Sequence, residues 1–402
     1  MNIITWIARI LTGTLFIFSG LIKANDPYGF AYKLDEYFEI FHMPIFVPFT
    51  VGISIVICIL EVLMGFWLLI GYKPVLNAWA LLLLIVFFDF LTGYTALANF
   101  AKENPESAMG SFMGWLMNTE PKFINSLSDC GCFGDFIKLK PYQSFWKDVV
   151  LTIFIAIIFI RRRHLTPLTN PTVSAVGSFT VGFIAVAFPI YCYMFLPSKD
   201  FLPYKVGNDI VEQMNTPPNA PTDSFFMTFI YKNKQTGEVK KYTDVNNLPD
   251  SNWVYQDREQ VLIREGYHPP IHDFKLFDAD GNEFTDIITE QDGYKLIYVM
   301  KDMGKVNGAQ LKTLESLSKA VKSKHSDINI FALTSTDFTQ INALKKEYGI
   351  NFNFYACDNT VLKSMVRSNP GVLLLKKSTV LKKWSSFAIP SAETVEKILN
   401  KK

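Results

Sequence analysis

The chain has 402 residues, 49% of them hydrophobic, with 39 Lys and Arg against 37 Asp and Glu and only 5 Cys. A net charge of +2 is too small for an electrostatic nucleic-acid footprint, and five scattered cysteines do not make a small disulfide framework. Apolar runs fill the chain to about Leu196 and a Lys- and Asp-rich pattern follows, which excludes both a purely soluble enzyme and a purely membrane-embedded transporter.

A spanning helix needs about 20 mostly apolar residues. Ile3–Ile22, Val51–Ile70, Leu76–Leu97, Trp146–Ile160 and Val176–Leu196 meet or approach that length, the fourth more comfortably if it starts at Tyr142. The first reads as a retained span and not a signal peptide, because it carries Arg9 and lacks a short apolar centre followed by a small-residue cleavage site. Arg161-Arg162-Arg163 after span four and Lys73 after span two fall on one side, expected to be cytoplasmic. The loops Lys23–Thr50 and Ala98–Phe145 and the soluble half then face the other side. In a bacterial inner membrane protein, with its N-terminus in the cytoplasm, that side is the oxidising periplasm.

Leu202–Pro221 is rich in Pro and Asn and reads as a linker. Phe225–Tyr231 and Val239–Thr243 flank Gln235-Thr236-Gly237 as a hairpin, and a second strand pair is expected around Trp253–Arg264. Phe274–Phe277, Asp278–Asn282 and Glu283-Phe284 read as strand, turn, strand. Strands at Tyr294–Met300, Ile328–Leu333 and Phe352–Ala356 then alternate with helices at Ala309–Lys322, Phe338–Tyr348 and Thr360–Val366. An antiparallel pair, Val372–Lys376 with Val380–Trp384, and a helix Ala392–Lys401 close the chain.

This order, with Asn369-Pro370 before a strand, resembles the thioredoxin-like fold of the periplasmic TlpA or peroxiredoxin type over about Pro270–Lys402. The resemblance implies an opening strand near Glu265–Phe274 and a cis-proline at Pro370. It also places the family's Cys-x-x-Cys on Gly304 and Asn307, so dithiol exchange at the usual place is excluded. Cys357 is the one thiol of this half. It reads as a structural residue at a strand end, with a peroxidatic or mixed-disulfide role as the alternative.

The most informative string is Asp129-Cys130-Gly131-Cys132-Phe133-Gly134-Asp135, just before span four. Two thiols one Gly apart close into a very small ring, whose strain favours disulfide donation over structural stapling. Lys138 and Lys140 are candidates to favour a thiolate. Three other readings stay open: half of a metal site, two inert thiols, or a static link. Arg9, Glu61 and Asp89 are costly charges inside spans. Arg9 and Glu61 fall at similar depth and are expected to pair, either as a structural lock or as a proton and quinone site. Asp89 is expected to meet Lys23 or to take a proton near the thiols. Cys58 and Cys192 read as packing residues, with Cys192 as an alternative resolving thiol. His42, His268 and His272 give no metal expectation.

The Cys-Gly-Cys-Phe-Gly string, with Arg9, Gly13, Phe16, Ser19-Gly20, Lys23, Glu61–Gly65 and Gly71, resembles the DoxX/MauE group of small four-helix membrane proteins over about Ile3–Ile160. The resemblance implies thiol and sulfur redox chemistry, disulfide formation in periplasmic enzymes, and a quinone, menaquinone or another, as electron acceptor. Fusion to a fifth span and a thioredoxin-like domain resembles an arrangement found in Bacteroidetes. The expected fold is therefore a helical membrane bundle joined to an α/β thioredoxin-like domain. Its parts are a four-helix unit (1–165), a fifth span (166–198), a linker (199–222), a small β-rich region (223–269) and a thioredoxin-like domain without Cys-x-x-Cys (270–402). Cys130 and Cys132 are the candidate catalytic pair of a thiol:quinone oxidoreductase, and Arg9, Glu61 and Asp89 the candidate quinone-binding residues, with no metal. The expected partners are periplasmic thiol proteins or a separate thioredoxin-like protein, and membrane lipid, without nucleic acid. The alternative is a non-catalytic, membrane-anchored thioredoxin-like module for binding and assembly.

Overall fold

The computed structural model describes residues 3–127, 129–243, 249 and 251–400. Helix α1 (Ile3–Asn25) is followed at once by α2 (Pro27–Ile40). Asp26 between them caps α2 by accepting from the Gly29 amide at 2.9 Å, and Pro27 occupies the first helical position, where its missing N–H is not needed. Next come α3 (Thr50–Ile70), led in by a 3-10 segment at Pro44–Phe49, then α4 (Pro74–Glu103), α5 (Ala108–Leu116), α6 (Pro141–Ile160) and α7 (Pro171–Phe195). Among the described residues, five helices are long and apolar enough to cross a membrane: α1, α3 with its lead-in, α4, α6 and α7. At 1.5 Å per residue, α6 spans about 30 Å, the thickness of a hydrocarbon core.

The tightest helix contact is between α1 and α3. A β-carbon on Gly65 would stand 2.7 Å from the Gly13 carbonyl oxygen, so only glycine permits this approach. The apolar core of the bundle is built from α1, α3, α4 and α6, through residues such as Phe16, Met64, Leu81, Ile85 and Ile155. The fifth span, α7, leaves most of its apolar side chains on the outside, including Phe179 and Phe183.

The second half contains α8 (Ile210–Met214), β1 (Ser224–Asn233), β2 (Val239–Tyr242), β3 (Trp253–Arg264), α9 (Asp286–Thr289), β4 (Tyr294–Met300), α10 (Gly308–Lys324), β5 (Asn329–Thr334), α11 (Phe338–Tyr348), β6 (Asn353–Ala356), α12 (Asn359–Met365), β7 (Gly371–Lys376), β8 (Thr379–Trp384) and α13 (Ala392–Leu399). The large sheet has the order β6-β5-β4-β7-β8. Strand β5 is parallel to β4 and β6, and β7 is antiparallel to β4 and β8. A parallel β-α-β unit and an antiparallel β-β-α unit thus meet at β4 and β7, which is the thioredoxin-like arrangement. Helices α10, α11 and α13 cover one face, with Leu311, Leu314, Ile341 and Val395 buried there. The other face holds α12 and the stretch after the fifth span, whose Tyr204 and Ile210 enter the core. The Asn369–Pro370 bond is cis.

Several local expectations need correction. Trp253–Arg264 is one strand, not a pair, and it runs antiparallel along β1 in a separate sheet of order β2-β1-β3. Glu265–Phe274 forms no opening strand. Phe274–Phe284 makes two isolated bridges and no strand, Phe277 to Glu283 and Phe277 to Ala356, around a turn in which Asp278 Oδ1 accepts from the Asp280 and Asn282 amides. The Pro- and Asn-rich stretch after span five is packed and bridges Asp209 to Thr379. Lys401, the expected end of the last helix, lies outside the described residues.

Candidate thiol site

The loop before α6 is shaped by its own side chains. Asp129 Oδ1 accepts from the Gly131 amide at 3.0 Å, an Asx turn, and Gly131 adopts φ +65°. A β-carbon there would also lie 2.9 Å from Lys33 Cγ on α2, so glycine is required twice. Gly134, at φ +51°, returns its amide to the Gly131 carbonyl at 3.1 Å. The result seats Cys130, Cys132 and Phe133 as a small buried cluster against Ile22 and Leu139. Ser19 of α1 donates to the Cys132 carbonyl at 3.1 Å, and Phe133 packs on Phe18 at 5.9 Å between ring centroids.

The two sulfurs are unbridged and face different surroundings. Cys130 meets Tyr37 of α2, Thr95 of α4 and Ser144 of α6. Cys132 meets Lys147 and Asp148 of α6, with Lys23 and Glu61 beyond. Burial pushes the Cys130 thiol up to about 12, with its neighbour Cys132 adding to the effect. Burial also raises Cys132, against the opposing pull of Lys147. The expected activation by Lys138 and Lys140 is not found: Lys140 pairs with Glu265 at 2.9 Å, and Lys138 lines a different hollow. In this arrangement both sulfurs are neutral thiols, because desolvation outweighs the nearby ammonium. Cys130 is 6% and Cys132 9% exposed, so a visiting molecule does not meet them directly. Both cysteines, Ile137 and Ser144 line a crease over the loop that has no room for a water molecule.

Below Cys132 a narrow cavity of about 20 Å3, roughly the room of one water molecule, lies among α1, α3, α4 and α6. Its walls are apolar at Phe16, Phe88 and Leu151 and charged at Lys23, Glu61, Lys147 and Asp148. Lys23 Nζ donates to Glu61 Oε1, with both side chains 2% exposed, and stands 4.5 Å from the Phe88 ring centroid. Lys147 Nζ pairs with Asp148 Oδ1 at 2.6 Å. Glu61 Oε2 and Asp148 Oδ2 are buried without a hydrogen-bond partner.

The candidate cofactor residues are therefore divided. Glu61 lines the cavity, but its partner is Lys23 and not Arg9. Arg9 donates to the carbonyls of Leu68 at 2.7 Å, Leu69 at 2.9 Å and Thr166 at 3.0 Å, where it closes the C-terminal end of α3. Asp89 accepts from Thr152 at 2.6 Å and does not pair with Lys23. Lys147 and Asp148 went unnoticed in the sequence. Their signal was a Lys-Asp pair inside a helix that must cross lipid. Cys192 lies by the Ser198 backbone, Cys58 beside Ser54 and Cys357 in the core of the second half. Among the described residues no cluster of His, Cys, Asp or Glu has the makings of a metal site.

Residues 1–104 match the family model of methylamine utilisation protein MauE. The MauE-like stretch supplies α1 to α4, so Glu61 and Lys23 lie inside it and Cys130 and Cys132 beyond it. With the five apolar helices it supports a membrane protein. Residues 225–265, the three-stranded sheet, match a domain of unknown function, DUF8463. Among curated protein sequences none matches this chain. Among solved structures the chain is similar to a thiol peroxidase from Chromobacterium violaceum, with 13% identity over 33% of this chain and 83% of that one and a TM-score of 0.26. It is also similar to peroxiredoxin Q from Xanthomonas campestris, with 11% identity over 31% and 86% and a TM-score of 0.24.

Proposed function

We propose that this protein is a membrane thiol:quinone oxidoreductase that uses Cys130 and Cys132 as its exchanging pair, and that it belongs with the DoxX/MauE group in an arrangement like that of Bacteroidetes. The observation that carries the reading is the placement of Cys132 at the head of a cavity holding two ammoniums and two carboxylates with unbonded oxygens. The chemistry of that donor set suits a ring with two carbonyl oxygens, for which the lining side chains would have to part: Lys23 and Lys147 would donate to them, and Glu61 and Asp148 would accept from hydroxyls. A quinone, menaquinone or another, supplies when bound an acceptor for two electrons and two protons.

The residues of the chain divide the remaining work. An electron-donating client offers two thiols, and the Cys130–Cys132 disulfide takes two electrons and two protons to become a dithiol while the client closes its own disulfide. Closing the pair again removes two electrons and two protons. Asp148 and Glu61 take up the protons, and Lys147 steadies the thiolate of Cys132 as it forms. Phe16, Phe88 and Leu151 keep water out. The charge pattern of the loops supports exchange on the periplasmic side of a bacterial inner membrane, where the clients would be periplasmic thiol proteins or a separate thioredoxin-like protein.

The purified protein is expected to couple dithiothreitol oxidation to reduction of a short-chain quinone. Cys130→Ser and Cys132→Ser should abolish this, and Lys147→Met should slow it by about tenfold to a hundredfold. Turnover that survives both serine variants contradicts the reading. Absence of turnover in the wild type would contradict it too and would favour a non-catalytic assembly module, to which the close docking of the second half lends support.

A further inference from the structure

The second half of the chain does not hang free of the bundle. The end of β4, the cis-proline loop and the stretch after β8 are turned onto it. Lys301 Nζ donates to Tyr32 of α2 at 2.9 Å, Lys383 pairs with Asp200 at 2.7 Å, and Ser385 meets the Met194 carbonyl of α7. Gly304 and Asn307, where a thioredoxin-like dithiol would stand, stay exposed, and Asn369 Nδ2 ties the cis-proline loop to the Asp302 carbonyl at 2.8 Å. The end of β4 and the residues before the cis-proline thus meet the protein's own membrane half, while the place of the dithiol does not.

At its centre is Arg367, whose side chain is 7% exposed. Its three nitrogens all have partners. Nε donates to Asp26 Oδ2 at 2.8 Å, Nη2 to Asp135 Oδ2 at 2.7 Å and Nη1 to the Lys363 carbonyl at 2.6 Å. Asp135 ends the string that begins at Asp129, and Asp129 is approached by Lys33 at 3.6 Å. The Cys-Gly-Cys loop is therefore held at both ends by cations, one from α2 and one from the second half. Asp26, the other partner of Arg367, caps α2, the helix that carries Lys33 and Tyr37. One guanidinium thereby fixes both the end of the loop and the helix against which Cys130 packs, and breaking such a buried pair leaves an uncompensated charge.

We infer that Arg367 is the positioning residue that holds the Cys-Gly-Cys loop closed, so that the thioredoxin-like domain gates the thiols of the bundle and does not exchange electrons itself. The inference rests on the reading of Cys130 and Cys132 as the redox pair. It assigns the domain without a dithiol a role that needs none. Opening the contact exposes the loop to a client, and closing it returns Cys132 to the cavity of Lys147, Asp148, Lys23 and Glu61.

The test is alkylation of the reduced, full-length protein by iodoacetamide, followed residue by residue by mass spectrometry as a function of pH. In the wild type both thiols should react slowly, with a profile displaced above the ordinary thiol value of 9.0. Arg367→Gln and Asp135→Asn are each expected to raise the rate by about tenfold or more and to bring the profile back toward that value. Arg367→Lys should rescue part of the protection. The double variant should react no faster than the faster single variant, because both cut one contact. Unchanged rates and profiles in the two single variants, or multiplied effects in the double, would overturn the inference. If Arg367→Gln fails to fold, Asp135→Asn decides alone, since its side chain is 30% exposed and its loss strands less charge in the interior. Alkylation needs neither quinone nor client, so failure of the redox reading leaves this readout intact.

Discussion

Lys23 and Glu61 show how much a single side chain decides here. Each is nearly sealed from solvent, and each is the other's neutralising partner. Glu61→Gln strands a buried ammonium and is expected to cost about 3–5 kcal/mol of stability in detergent. Lys23→Met with Glu61→Met should recover most of that loss. A single-variant cost below about 1 kcal/mol in equilibrium unfolding would mean that the pair is solvated. The sequence made Glu61 and Arg9 conspicuous, because any charge in a span is expensive. It did not disclose their partners. Helical rise gives depth along the membrane normal but leaves rotation about the axis free, and rotation turns Glu61 to Lys23 and sends Arg9 to the carbonyls at the end of α3. Cys130 and Cys132 were legible from their spacing. Their burial was not, since it comes from α1, α2, α4 and α6 packing around a loop that looks open in one dimension.

At the scale of elements, the spans followed from length and hydropathy, and the alternating helices and strands after Tyr294 followed from periodicity. Helix α2 was missed, although Asp26-Pro27 is a helix-start signal. Its Tyr, Lys and Glu content resembles a surface loop until one sees that it lies across the end of the bundle and buries Phe30, Leu34 and Tyr37. Strand β3 was divided in two because its charged residues interrupt the apolar pattern. The sheet tolerates them because nearly the whole strand is exposed. Arg9 joins α1 to the last turn of α3 and to Thr166. Arg9→Met leaves those carbonyls short of a donor and is expected to lower stability by about 1–3 kcal/mol while the redox response of Cys130 and Cys132 stays unchanged. Loss of that response at unchanged thermal stability would instead make Arg9 part of the redox site.

For the whole molecule, the physical division is between a bundle that holds charge in an apolar cavity and a domain that covers the loop at its head. The two are joined by the ion pairs of Arg367 with Asp26 and Asp135, and Lys383 pairs with Asp200 in the stretch that links them. Sequence periodicity reveals each half but not this junction, because the partners stand far apart in the chain and no local pattern links them. If the bundle moves electrons between Cys130–Cys132 and a quinone, the redox state of the pair must follow the quinone pool. The most direct measurement is acid-quenched thiol trapping with a mass-tagged maleimide in native membranes, comparing quinone-replete with quinone-depleted cells. A Cys130–Cys132 disulfide is expected in the first and a dithiol that accumulates in the second. The same redox state in both would contradict it.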